Sequence, residues 1–184
     1  MNLHDRLTLV QGDLTRVRAD AIVNAANPML LGGGGVDGAI HRAAGPKLLE
    51  ACRAVKKTLP GGLLQTGGAV LTPGFELPAR YVIHCVGPIY REHLEGAWPL
   101  LADCYRNALR LCRENELRTI AFPSISTGAY GCPLERAAQV AVTAVMEELA
   151  AHALPEQARF VLFDARTLSA YEQAQSARIG TDRA

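Results

Sequence analysis

The sequence predicts an α/β protein in which strands alternate with helices to build a layered sheet. Three observations carry that prediction. Short apolar, β-branched runs recur, and Tyr81 to Val86 is nearly continuous in this respect, as a strand buried on both faces requires. Between such runs lie segments with apolar residues at helical spacing, among them Leu134 to Ala151. Glycine-containing loops join strand ends to helix starts at two places, Asn24 to Gly35 and Pro123 to Pro133.

The elements follow in order. Leu7 to Val10 is a first strand, stopped by Gln11-Gly12-Asp13, and Ala19 to Val23 a second, ending at Asn24. Asp37 to Ala44 forms a short helix closed by Gly45, and Pro46 opens another that runs to about Lys57. Ala69 to Thr72 is a short strand and Tyr81 to Val86 a longer one, ending at Gly87-Pro88. Ile89 to Pro99 reads as an irregular surface loop, and Leu100 to Glu114 as a helix. Arg118 to Phe122 is a buried strand, Leu134 to Ala151 a helix, Arg159 to Phe163 a last strand and Leu168 to Gln175 a last helix. The expected organisation is one domain over residues 1–175 and a disordered tail over 176–184.

Composition narrows the function. With 49% hydrophobic residues and 20% charged residues in 184, the chain can bury a core. No apolar run approaches the roughly 20 residues that span a bilayer, and the first residues lack a signal-peptide pattern, so a cytoplasmic protein without a membrane partner is expected. The net charge is +1, only three lysines occur, and the arginines are scattered, which gives no strong nucleic-acid footprint. The five cysteines show no C-x-x-C spacing, and no His/Cys/carboxylate cluster has ligand spacing, so neither a disulfide framework nor a metal or other cofactor is expected. Cys132 stands apart from the other four because it falls in a loop.

The densest chemistry lies from Asn24 to Gly45. The glycines Gly32 to Gly35 run directly into a helix, and backbone N–H groups at such a junction suit an anion, phosphate above all. Gly33, Gly35 and Gly38 fit G-x-G-x-x-G in form, but the loop does not follow a strand directly, and no acidic residue ends the next strand. A Walker-type loop is excluded, because no Gly-Lys-Ser/Thr follows. Asp37 and His41 share a helix face, with Asp37 in the first turn, where the macrodipole favours the ionised form. Asn24 and Asn27 add neutral amides. For His41, packing against the loop and a chemical role both stay open.

A second loop, with Ser126, Thr127, Gly128, Ala129 and Tyr130, again follows a strand and precedes a helix, so the pair of loops suits a diphosphate. Asp13 either accepts from an exocyclic amine or caps its own turn. Phe163 either stacks on a base or packs in the core, whereas Tyr130 sits where a ligand wall is the simpler reading. The G-x-S-x-G nucleophile pattern is not met.

At these residues the chain resembles the macrodomain family, in particular its bacterial O-acetyl-ADP-ribose deacetylase and mono-ADP-ribosyl hydrolase branch. The resemblance rests on Gln-Gly-Asp-Leu-Thr at 11–15, Ile-Val-Asn-Ala-Ala-Asn at 22–27, the glycine segment at 30–45, Tyr-Val-Ile-His-Cys-Val-Gly-Pro at 81–88 and Phe-Pro-Ser-Ile-Ser-Thr-Gly-Ala-Tyr-Gly-Cys-Pro at 122–133. It implies a three-layer α/β/α fold with a mixed, mostly parallel sheet and a cleft for ADP-ribose and its esters. By that resemblance Asp13, Leu14 and Phe163 meet the adenine, and Gly33, Gly34, Gly35 and Val36 with Ser126 to Tyr130 cradle the phosphates. Asn27 holds the distal ribose, Asp37 is the catalytic carboxylate, and His41 and Tyr130 line the distal pocket. The implied activity is hydrolysis of esters on the distal ribose. The competing readings are a non-catalytic ADP-ribose reader and a regulator that contacts an RNA-processing enzyme. Oligomeric state is not set by the sequence.

Overall fold

The computed structural model describes residues 3–182. Its sheet has six strands: β1 (Leu7–Gln11), β2 (Ala21–Ala26), β3 (Ala69–Pro73), β4 (Tyr81–Val86), β5 (Thr119–Phe122) and β6 (Gln157–Leu162). They lie in the order β1-β6-β5-β2-β4-β3, and every neighbouring pair is parallel except β3 with β4. The helices are α1 (Gly35–Ala44), α2 (Pro46–Lys56), α3 (Tyr90–His93), α4 (Ala97–Glu114), α5 (Leu134–Ala151) and α6 (Ala165–Asp182).

Side-chain alternation along the central strands sorts the helices into two layers. Ala21, Val23, Ile83 and Cys85 face the layer of α4, α5 and α6, where they meet Tyr105, Val142 and Tyr171. Ile22, Ala26, Val82 and Val86 face α1 and α2, with Ile40 and Leu48. The expected three-layer α/β/α architecture with a mixed, mostly parallel sheet is therefore what the chain adopts. Asn24 and His84 pair in register on the α1/α2 face, and both are completely buried. Polar groups there are costly unless hydrogen-bonded, and their partners belong to the functional site.

Several boundaries differ from the sequence reading for local reasons. Residues 89–99 are not irregular: α3 and a 3-10 turn at Leu94–Gly96 lead into α4, which starts at Ala97. Pro99 is tolerated because it falls in the first helical turn, where an N–H has no intrahelical partner anyway. The last helix begins at Ala165 and continues past Gln175 to Asp182, so residues 176–182 are helix rather than a disordered tail. Tyr171, Ala174 and Ile179 pack on the core from one face of it, and the Gln175 amide donates to the Leu7 carbonyl. Residues 183 and 184 of the expected tail, and residues 1 and 2 of the expected domain, lie outside the described residues. All five cysteines are free and buried. That includes Cys132, because its loop folds back: its N–H donates to the Ser126 carbonyl at 2.9 Å and its side chain joins the core.

At the opposite end of the sheet from the strand tips, Arg6 gathers the carbonyls that end α5. Its guanidinium donates to Leu149, to His152 at 2.8 Å, to Ala153 at 3.1 Å, to Pro155 at 2.7 Å and to Glu156 at 3.3 Å. A cation there also complements the negative end of the helix dipole.

Candidate active site

The five parallel strands all point their carboxyl ends the same way, and the loops that follow them converge on one cavity of about 820 Å³. Gly12 to Thr15 follow β1, Asn27 and Gly33 to Asp37 follow β2, and Gly87 follows β4. Pro123 to Tyr130 follow β5, and Phe163, Asp164 and Thr167 follow β6. A pocket of this size outside the strand ends is where an α/β fold places its ligand.

The first glycine loop enters α1 as the sequence suggests. Gly34 caps the helix without a side-chain bond, and Gly35 has φ +57°, a conformation open to glycine at little cost. The first-turn N–H groups therefore face the cavity and can meet an anion. The second loop works differently from expectation. Ser126 to Tyr130 line the cavity, but the first turn of α5 does not, so this loop offers its own backbone rather than a helix terminus. It is held from below: the Ile125 N–H donates to the Tyr105 hydroxyl at 3.2 Å, and Tyr171 and Thr127 hydroxyls donate to Ser124 Oγ at 2.9 and 2.8 Å. Ser126 adopts φ +64°, and its hydroxyl is buried without a hydrogen-bond partner among the described residues. Gly87 makes room for this, since a Cβ there would stand 2.1 Å from Ser126 Oγ.

At one end of the cavity, Phe163 is 83% exposed and excluded from the core, which removes the packing alternative. Leu14 is buried and lines the same cavity. Asp13 does cap its turn, accepting from Thr15 N–H at 2.9 Å and from Thr15 Oγ1 at 2.7 Å. Those bonds hold its carboxyl below the usual range, so it also presents an anion to the cavity.

At the other end Asp37 lies on the floor, only 5% exposed. Asn24 Nδ2 donates to its Oδ1 at 2.7 Å, and His41 Nε2 lies 3.4 Å from the same oxygen. Oδ2 faces the glycine loop, 3.2 Å from where a Cβ on Gly33 would be; Asn27 Nδ2 lies 3.6 Å from that point. Asn27 is itself fixed, donating to the Gly32 carbonyl at 2.9 Å and accepting from Met29 N–H at 3.0 Å. Burial raises the Asp37 pKa above the ordinary carboxylate value, outweighing the Asn24 bond and His41. This corrects the expectation from the helix dipole, which anticipated a carboxyl held low.

Two residues expected in the cavity stand behind it. Asn24 is completely buried and touches Asp37 rather than the cleft. The His41 ring packs beside Gly32 and Asp37 and is likewise not on the lining. Arg42, Thr15 and Gly87 line the cavity and were not anticipated; Arg42 follows Gly38 by one helical turn, a spacing that could have flagged it. Among the described residues no group of three His, Cys, Asp or Glu side chains is placed to hold a metal, and no helix is long and apolar enough to cross a membrane.

Comparison with known proteins agrees with this geometry. The Macro domain family model matches residues 23–141. The chain is a macrodomain. It is 54% identical over 168 residues to a Salmonella typhimurium protein named O-acetyl-ADP-ribose deacetylase, covering 90% of this chain and 92% of that one. An Oceanobacillus iheyensis macrodomain with ADP superposes with a TM-score of 0.94 at 45% identity, covering 98% and 96% of the two chains. A Trypanosoma brucei macrodomain in complex with ADP-ribose gives 0.82 at 42% identity, covering 91% of this macrodomain and 68% of its own chain.

Proposed function

We propose that this macrodomain binds ADP-ribose and hydrolyses esters on its distal ribose. Its substrates on this reading are O-acetyl-ADP-ribose and mono-ADP-ribose esterified to acidic protein side chains. The observation that carries the reading is Asp37: a carboxylate at the floor of the cleft lined by the two glycine loops, with Oδ2 and the Asn27 amide converging beside Gly33. The names of the relatives point the same way.

In this assignment the adenine lies against Phe163 and Leu14, with Asp13 accepting from its amine. The backbone of Gly33 to Val36 and of Ser126 to Tyr130 takes the diphosphate. The distal ribose then reaches Asn27 and Tyr130, and a water sits between Asp37 Oδ2 and Asn27. Asp37 removes a proton from the water as oxygen adds to the ester carbonyl. When the ester C–O bond breaks, that proton passes to the leaving ribose oxygen, giving a carboxylic acid and a free hydroxyl. Burial makes Asp37 a stronger base than a solvated aspartate, as general-base catalysis wants. His41 supports the carboxylate from its other side.

The test is a time course of ADP-ribose released from O-acetyl-ADP-ribose by the wild type, Asp37→Ala and Asn27→Ala. Asp37→Ala should lose turnover while retaining ADP-ribose binding, and Asn27→Ala should be impaired less. Unchanged turnover in Asp37→Ala would refute the assignment, and a wild type that binds ADP-ribose but cleaves neither ester would make the cleft a reader site.

A further inference from the structure

Behind Asp37 runs a row of polar side chains that the proposed chemistry does not touch. Asn24 on β2 stands in register with His84 on β4, Thr72 on β3 stands diagonally across from His84, and none of the three is more than 2% exposed. Asn24 Nδ2 lies 2.7 Å from Asp37 Oδ1 and 3.1 Å from His84 Nδ1, and His84 Nε2 lies 2.9 Å from Thr72 Oγ1.

Donor and acceptor bookkeeping assigns the bonds along the row, with Cys52 Sγ a second and more distant neighbour of His84 Nε2 at 3.7 Å. An ionised carboxylate only accepts, so the Asn24 atom facing Asp37 is the NH2 group. Its second hydrogen points to His84, whose Nδ1 must then offer a lone pair. A neutral imidazole carries its single hydrogen on the other nitrogen, so Nε2–H donates to Thr72. A protonated ring would set Nδ1–H against the amide hydrogens, and burial already pushes the His84 pKa down to about 3. Asn24 Oδ1 has no partner among the described residues, so the amide is oriented from its nitrogen side alone.

We propose that His84 and Thr72 are positioning residues for the hydrolysis: through Asn24 they anchor Asp37 by Oδ1 and leave Oδ2 aimed at the reacting water. The inference rests on Asp37 being the base. Without the His84 lone pair the Asn24 amide is free to turn its oxygen toward Asp37, which replaces a donor by a repulsion. The carboxyl then shifts and becomes harder to ionise. The titratable groups facing Asp37 are His41 from its own helix, Cys52 from α2 and Tyr130 from the loop after β5, while His84 from β4 reaches it through Asn24. Cys52 and His84 stay neutral across an assay range, their pKa values lying at about 11 and about 3.

The test combines nitrogen NMR of the His84 ring with kinetics on O-acetyl-ADP-ribose. Wild type should show the Nε2–H tautomer, and Thr72→Ser should retain it. Thr72→Val keeps the shape of Thr72 but removes the acceptor. It should lower kcat by about ten- to a hundredfold, with KM and ADP-ribose affinity within about twofold, and move the acid limb of kcat upward. Measuring that limb also in a His41→Gln background assigns it to Asp37. His84→Gln, whose side-chain oxygen can accept from Asn24, should retain more turnover than His84→Leu. A ring with hydrogen on Nδ1, an unchanged kcat and acid limb in Thr72→Val, or equal losses of kcat and ADP-ribose affinity would overturn the positioning role. Turnover surviving in Asp37→Ala would instead overturn the base assignment on which it rests, while leaving the tautomer result in place.

Discussion

Gly87→Ala probes whether the second loop is held at a fixed height above the end of β4. A Cβ at this position would stand 2.1 Å from Ser126 Oγ and 2.6 Å from Ile125 Cγ2. The serine hydroxyl can swing away about χ1. The isoleucine methyl cannot, because the side chain is β-branched and only 1% exposed. Moving that methyl from 2.6 Å to an ordinary contact at 3.4 Å displaces the loop by about 0.8 Å. A phosphate bond from the loop N–H groups at about 2.9 Å then stretches to as much as about 3.7 Å, beyond hydrogen-bonding range. Losing two charge-assisted bonds at about 1.5 kcal/mol each costs about 3 kcal/mol, or roughly a hundredfold in affinity. Isothermal titration with ADP-ribose reads that loss, and calorimetric unfolding checks that the variant is folded. A folded Gly87→Ala protein that binds ADP-ribose within about threefold of wild type would refute the idea that this close approach sets the loop.

Three further predictions follow from single contacts. Phe163→Ala should weaken ADP-ribose binding by about 1 kcal/mol or more if the ring stacks on the base. Its Tm should not change, because the side chain is 83% exposed; unchanged affinity would remove the adenine from that wall. Asp37→Asn should be inactive yet more stable at neutral pH by about 1 kcal/mol, seen as a rise in Tm of a few degrees. Because burial raises the folded pKa of Asp37 above 3.8, its favourable contribution is present below that value and lost as pH rises through the folded pKa. The Tm difference should therefore shrink to nothing in acid, and a difference independent of pH would contradict the cause given. Arg6→Ala removes the donor that gathers the carbonyls after α5. It should lower stability by about 2 kcal/mol without altering ADP-ribose affinity, and an unchanged melting curve would show that water replaces the guanidinium.

What was legible in the sequence is what depends on neighbours along the chain. The glycine run before α1 and the four-residue spacing of Asp37 and His41 are local facts, and they mark the proposed anion site and its proposed carboxylate. Asn27 could be read for the same reason, since its bonds to Met29, Leu30 and Gly32 are all local. The Asn24, His84 and Thr72 row was not legible, because those residues are neighbours only through the order β2-β4-β3. Gly87 was invisible as a site residue because the need for glycine there is imposed by Ile125 and Ser126, which arrive from β5. The protonation tendency of Asp37 was misjudged on similar grounds: the helix dipole is a property of α1 alone, whereas burial depends on groups brought in from other elements, among them Asn24 of β2 and Cys52 of α2. The final helix was cut short because its inward face becomes apolar only in combination with the core it covers.

The five buried thiols have a practical use. Burial pushes Cys52 up to about 11 and Cys104 and Cys112 up to about 12, and it raises Cys85 and Cys132 as well. Thiolates are the species that react with maleimides and iodoacetamides, so the native protein offers such reagents almost nothing. A cysteine introduced at Leu31, which is 43% exposed beside the glycine loop, would then be the one site a fluorophore modifies. The chain can thus carry a single reporter of ligand occupancy with all of its natural cysteines left in place.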